Sequence, residues 1–268
     1  DQSNINLSIG FTNVDQNYFS NFNQTLDDGR TKLFDDDQFN NDVDFSFKDL
    51  YFALNYRIRT GIFTIDPGLT LHFYDNINTQ LGQTFAKDIS DIRPNLRVNM
   101  QFKKNENLRF TYRKNTQFTD VNNISEGYVF NNYNSIFRGN RELEAAIVNS
   151  YNLNYRSINQ FTFTNIFSNV SYSKRENSIQ SRAAIDGINS VRTANNSIFP
   201  RETYSARARL DKRFKNIKLN LRANFRYSEF SNIINDVVNN AESFNQDYEL
   251  SLETNFRDKP NFEIGLKY

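Results

Sequence analysis

The chain has 268 residues, no cysteine and a formal net charge of +1. Disulfide frameworks and thiolate metal sites are therefore excluded, and no basic excess points to a nucleic-acid partner. Phe (26) and Tyr (14) are abundant while Trp is absent, and Asn makes up roughly one residue in six; the regular placement of the apolar residues argues against a low-complexity tract.

No apolar run approaches the ~18 residues a spanning helix needs. A β-barrel is not excluded, because strands that alternate apolar and polar residues look hydrophilic on average. The dominant period is two. Ile5, Leu7, Ile9 and Phe11 alternate with polar residues, as do Leu50 to Ile58 and then Phe63, Ile65, Leu69, Leu71 and Phe73. The pattern returns at Leu96 to Phe102, Leu108 to Tyr112, Tyr151 to Tyr155, and Phe161 with Phe163. It ends with Tyr204 to Leu210, Leu219 to Tyr227, Tyr248 to Phe256, and Phe262 to Tyr268. This predicts about eleven strands and no amphipathic helix. No signal peptide opens the chain at Asp1, which begins in a strand-like run, so residues 1–268 read as a piece of a larger barrel.

The predicted connections alternate short and long. The short ones are Thr60-Gly61, 103–107, 156–160, about 211–216, and 257–261; the long ones are 15–42, 75–91, 115–148, 176–201 and 232–245. Tight turns at one end and long loops at the other suit an outer-membrane barrel, whereas Greek-key sandwiches mix the two ends. The short turns predict Ile58 opposite Phe63, Phe102 opposite Leu108, and Phe256 opposite Phe262, with apolar faces coinciding in each hairpin. Val43, Phe45 and Phe47 alternate on the other parity from Leu50 and Phe52, which predicts a bulge or strand entry near Lys48-Asp49. Pro67 predicts a missing ladder bond.

Alternation alone does not distinguish an apolar face that touches lipid from one buried in a core. Long strands, an opposite face of Asn, Thr, Ser and Arg, and aromatic residues near strand ends favour a membrane. The expected fold is an all-β, antiparallel, up-and-down transmembrane barrel.

Several stretches resemble, in order and spacing, the C-terminal barrel of TonB-dependent outer-membrane receptors, particularly the Bacteroidetes-type outer membrane beta-barrel group. They are Leu50-Tyr51-Phe52-Ala53-Leu54-Asn55-Tyr56, Ile65-Asp66-Pro67-Gly68-Leu69, Ile92-Arg93-Pro94-Asn95-Leu96 and Leu108-Arg109-Phe110-Thr111-Tyr112-Arg113. The segment Phe137 to Glu144 resembles the family's Gly-Asn-Pro-x-Leu-x-Pro-Glu loop through Gly139, Asn140, Leu143 and Glu144, with Arg141 in place of the first Pro. The resemblance implies a 22-stranded barrel, about half of it present here, closed by an N-terminal plug domain and energised by a TonB-type protein. It also implies outer-membrane lipid around the wall, uptake of a siderophore, glycan or peptide, and a surface lipoprotein as a further candidate partner. No enzymatic activity and no cofactor are expected.

The candidate site residues are mostly inward arginines. Arg57, Arg59, Arg109, Arg156 and Arg209 lie near the short-turn end, and with Arg222 and Arg226 they are expected to face a lumen or plug and meet its carboxylates. Bland partners on the wall are an alternative: Asp211 opposite Lys218, and Arg222 and Arg226 opposite Glu253 and Glu249. His72, the single histidine, is expected to face inward as a plain lumen residue rather than a metal ligand. Asp35, Asp36, Asp37 and Asp42 form an oxygen-rich stretch and a weak Ca²⁺ candidate, without EF-hand spacing. Glu142 and Glu144 are the one nearby acidic pair, and a loop role outweighs a glycosidase-type role for them. Two other readings stay open: a non-transporting barrel that binds partner proteins, and a soluble β-sandwich binding module.

Overall fold

A computed structural model describes residues 2–33 and 37–268. In chain order the strands begin with β1 (Gln2–Ser20), β2 (Asn23–Thr25), β3 (Thr31–Leu33), β4 (Asn41–Thr60), β5 (Phe63–Gln80) and β6 (Gln83–Lys103). After β7 (Glu106–Gln117) comes the short helix α1 (Val121–Ile124), then β8 (Val129–Asn132), β9 (Ser135–Arg138), β10 (Ala146–Asn159) and β11 (Thr164–Glu176). The rest are β12 (Ile179–Asp186), β13 (Asn189–Asn196), β14 (Arg201–Phe214), β15 (Ile217–Ile234), β16 (Val237–Thr254) and β17 (Glu263–Lys267).

Eleven strands form the wall by consecutive antiparallel pairing: β1, β4, β5, β6, β7, β10, β11, β14, β15, β16 and β17. Strands β8, β9, β12 and β13 branch off at the outer end, where β12 touches β15 and β9 runs parallel to β13. Among the described residues β1 and β17 do not pair with each other, so the sheet stays open.

The wall's two faces follow from the period of two. Leu7, Leu54, Leu71, Leu153 and Leu221 point to one side and stay exposed, Leu7 by 75%. Such a continuous apolar surface is a liability in water and is well solvated by lipid. Across it runs a row of cross-strand partners, Tyr112, Tyr151, Tyr172, Tyr204 and Tyr227. Their ring centroids are 4.9, 5.8, 4.7 and 6.2 Å apart. Tyr204 and Tyr227 each stand eleven residues from the turn Lys215-Asn216. At ~3.3 Å per residue and a ~45° tilt, that is a climb of roughly 25 Å, the height of an outer-membrane apolar band. The row is thus the aromatic girdle at the outer interface, and the strands continue beyond it.

That continuation corrects the predicted loops. Residues 75–91 and 232–245 are not loops: β5 and β6 meet at Leu81-Gly82, and β15 and β16 at Asn235-Asp236. All four turn residues have positive φ (52°, 70°, 49° and 65°), as in the two-residue turns that match strand twist. These stretches lack apolar alternation because water lies on their outer side, so the lipid-facing signal stops while the strand goes on. Phe161 and Phe163 lie in a turn; the strand expected between the connections 156–160 and 176–201 is β11, whose lipid face is carried instead by Ile166, Val170 and Tyr172.

The predicted registers keep the right faces but sit one pair away. The first turn is Gly61-Ile62, so Ile58 opposes Ile65 and Leu54 opposes Leu69. An irregularity around Phe102 sets Met100 against Leu108. Leu252 opposes Ile264, and Thr254 bonds Phe262. Each shift preserves parity, so the apolar faces still coincide. Pairing lapses opposite Pro67, between Asn55/Gly68 and Ile58/Ile65.

No bulge occurs at Lys48-Asp49: β4 pairs with β1 without a shift from Gln2/Arg59 to Ser20/Asn41. Val43 (1% exposed) and Phe45 are buried on the polar face instead. The apolar residues change face because the segment 118–145 folds down over the outer end of β4, β5 and β6. Phe118 packs on Phe47 and Tyr74, and Ile124 is buried beside them.

Candidate functional site

The polar face of the wall divides into a covered outer part and an open inner part. The cover is built by short-range rules. Asp120 caps α1, accepting from the backbone of Asn123 at 3.1 Å. Gln80, at the tip of β5, donates to Ile124 O at 2.9 Å and accepts from the Glu126 N–H at 2.9 Å. Asn41 donates to Ser20 at 2.8 Å and to Gly127 O at 3.2 Å, and accepts from the Gly127 N–H at 2.8 Å. One amide thus satisfies three groups that burial would otherwise orphan.

The loop motif belongs to this cover. Backbone N–H groups of Gly139 and Asn140 donate to Ser125 O (2.8 Å) and Asn123 O (2.7 Å). A Cβ on Gly139 would stand 2.5 Å from Ser125 O, which explains glycine there. Asn140 accepts from Glu142 N–H at 2.9 Å and shapes the turn. Arg141, in the place where the resembling motif has Pro, pairs with Glu126 at 2.6 Å. Leu143 lines a small gap with Phe118 and Ile124. Glu144 exchanges backbone bonds with the Asn196 side chain (2.8 and 2.9 Å), and its carboxylate accepts from Asn177 at 3.3 Å. Glu144 thus ties the loop to Asn196 and Asn177, while Glu142 contributes its backbone N–H.

His72, buried with 9% of its surface exposed, faces the same interior. Its Nδ1 lies 2.9 Å from Asp49, and its ring stacks on Tyr74 at 5.3 Å. Among the described residues Asp49 is its one acidic hydrogen-bond partner. Of the oxygen-rich stretch, Asp35 and Asp36 lie outside the described residues, Asp37 lies in a single 3₁₀ turn (Asp37–Phe39), and Asp42 is exposed on β4. Among the described residues no three acidic, His or Cys groups stand close enough to hold a metal ion.

The inner part carries the arginines. Arg57 donates to Asp66 at 2.7 Å across the β4–β5 hairpin. Arg59 opposes Thr64 and is exposed. Arg109, Arg156, Arg209 and Arg222 gather around one concavity of about 570 Å³ on β7, β10, β14 and β15. Arg209 and Arg222 are direct cross-strand partners, and each has its own carboxylate, Asp211 at 2.9 Å and Glu249 at 3.1 Å. Arg156 lies over the Phe167 ring at 5.9 Å.

Three predicted pairings, on two hairpins, fail. Asp211 opposes Asn220, and Lys218 reaches Glu253 at 3.0 Å. Arg222 meets Glu249 rather than Glu253, and Arg226 opposes Asn245. Both errors come from turns placed too early or too late: the hairpins close at Lys215-Asn216 and Asn235-Asp236. The sequence reading also missed Asp66 as the Arg57 partner and the Asn41–Gly127 latch. A register through Gly61-Ile62 would have found the first; the second joins residues 86 positions apart and carries no local signal.

A model of the outer membrane protein beta-barrel family matches residues 2–268. Among solved structures, the hemophore receptor HasR of Serratia marcescens, in complex with its hemophore HasA and heme, matches with TM-score 0.59 and 12% identity. The match covers 99% of this chain and 50% of HasR. The FrpB iron transporter of Neisseria meningitidis (F3-3 variant) matches with TM-score 0.56 and 14% identity, over 84% of this chain and 33% of FrpB. The ferric-catecholate import receptor Fiu of E. coli matches with TM-score 0.50 and 10% identity, over 98% and 47%. At these identities the likeness is one of fold, and the chain spans a third to a half of each relative's length. No curated protein matches the sequence.

Proposed function

Because the chain belongs to the outer membrane protein beta-barrel family, of the bacterial outer membrane, we propose that it is one section of the wall of a TonB-dependent receptor that takes up a bulky ligand. The observation that carries this is the open wall itself: ten long strands and the short β17, in unbroken antiparallel order, which do not close among the described residues. A barrel of eight strands is filled by its own side chains, whereas one near 22 encloses a lumen wide enough for a folded plug. The free edges of β1 and β17 need partners in lipid, so further strands stand beside them in this reading. The polar face then lines the lumen. Near the inner end Arg59, Arg109 and Arg156 meet carboxylates of the plug, beside Arg57, Arg209 and Arg222, which pair with carboxylates of the wall itself. The ligand class is a siderophore or metal chelate, a glycan or a peptide, admitted past the 118–145 cover.

The test compares a deletion strain with its parent for uptake of iron-loaded siderophores, oligosaccharides and peptides, with and without a protonophore. Energised uptake of one class lost in the deletion supports transport. Unchanged uptake of all three, with a stable protein partner co-purifying, overturns it in favour of an assembly subunit. One feature favours that second reading: Tyr133 (88% exposed) and Ile188 (73%) cap the two outer hairpins and offer apolar contacts to a protein.

A further inference from the structure

The arginines of the polar face fall into two tiers with opposite electrostatics. In the inner tier Arg57, Arg209 and Arg222 have carboxylate partners on the wall. A second tier lies further out on β11, β14 and β15: Arg175, Arg201, Arg226 and Arg207, the last at the border with the inner concavity. These four line one concavity of about 810 Å³. Arg175 and Arg201 are direct cross-strand partners, an arrangement that costs stability without a counter-charge. Among the described residues none of the four has an ion pair, and the concavity's one carboxylate is Asp247.

The surroundings suit an anion. Ser173, Thr203, Ser205, Asn224 and Asn245 supply hydroxyl and amide donors between the guanidinium groups. The Phe230 ring lies under the Arg201 guanidinium at 5.3 Å, so that fork is held in place while its edge stays free. Arg226 stands ten residues above the inner turn and Arg201 fourteen, at and beyond the height of the tyrosine girdle. That is the half of the wall a solute from outside meets first.

We infer that this ledge binds a multiply charged oxyanion, a small molecule carrying several phosphate or carboxylate groups, through Arg175, Arg201, Arg207 and Arg226. The inference rests on the reading that the polar face lines the lumen. Planar forks spaced along two strand pairs match oxygens that lie several ångströms apart, and one singly charged group would leave most of the four uncompensated.

The test titrates full-length, detergent-solubilised protein with pyrophosphate and with citrate, with chloride and acetate as single-charge references. Saturable binding of at least one of the two polyanions is expected, weakened about tenfold or more in Arg175→Gln/Arg201→Gln and in Arg207→Gln/Arg226→Gln, and unchanged in Lys259→Gln. Retained heat-modifiable migration of each variant shows that the barrel is folded. No saturable binding, or equal binding by wild type and both double variants, overturns the proposal. Lower thermal stability of the variants without polyanion binding assigns the ledge to carboxylates of the protein itself and equally overturns it. Binding without energised uptake would sink transport alone, and uptake with no role for the four arginines would sink the ledge alone.

Discussion

The membrane band and the outer end of the wall are made from the same strands, yet they are stabilised in different ways. Within the band, apolar side chains remain exposed to lipid and the buried core is nearly absent; the ladder of backbone bonds and the tyrosine row carry the structure. Beyond the girdle the apolar residues move to the inner face. Val43, Phe45, Tyr74 and Ile124 are buried there under the 118–145 cover. The difference teaches that one strand, β4, reads two solvents in succession. Lipid draws Leu50, Phe52 and Leu54 outward, and water drives Val43 and Phe45 inward. Each choice follows from where apolar surface escapes water.

The largest expected effect probes that boundary. Leu221→Arg, on the lipid face of β15 about midway between the inner turn and the tyrosine row, should destabilise the full-length protein in vesicles by about 2–4 kcal/mol, whereas Val238→Arg, beside the outer turn, should cost less than about 1 kcal/mol. Denaturant titration of both variants checks it, and equal losses would remove the boundary. A middle effect tests the cover. Asn41→Ala leaves the Gly127 N–H and C=O without their partner, at a cost of about 2 kcal/mol, and should expose 118–145 to protease. An unchanged cleavage pattern would mean that the cover is held elsewhere. The smallest effect concerns the exposed pairs of the inner tier: Arg222→Gln should shift stability by no more than about 0.5 kcal/mol, since both partners are about two-fifths exposed. A larger loss in an unfolding titration would show that this pair is drier than the wall geometry makes it.

Much of the wall was legible in the sequence. Eleven strands, their antiparallel order and the facing of Leu50, Phe52 and Leu54 all follow from a period of two, because one face must meet an apolar medium. The polar facing of Arg57, Arg109, Arg156, Arg209 and Arg222 follows from the same parity. The turns were less legible. Leu81-Gly82 lies among polar residues, and the apolar residues beside Asn235-Asp236 (Ile233, Ile234, Val237 and Val238) come as adjacent doublets rather than alternating, so neither stretch carries the strand signal and both were read as loops. Of the candidate site, the motif from Gly139 to Glu144 was visible as a motif, but its job was not, since its bonds go to Asn123, Ser125 and Asn196.

The sequence by itself determined the architecture and which face of each strand is apolar, because side-chain alternation is a local property of an extended backbone. The tertiary structure alone decided which charges meet. A register four residues away from the expected one gave Arg222 Glu249 in place of Glu253, and the β11–β14 register set Arg175 beside Arg201; a shift by an even number of residues leaves the parity of each face unchanged. The covered core was likewise a tertiary decision: the contacts between Asn41 and Gly127, and between Tyr74 and Phe118, join segments whose separate patterns carry no trace of each other.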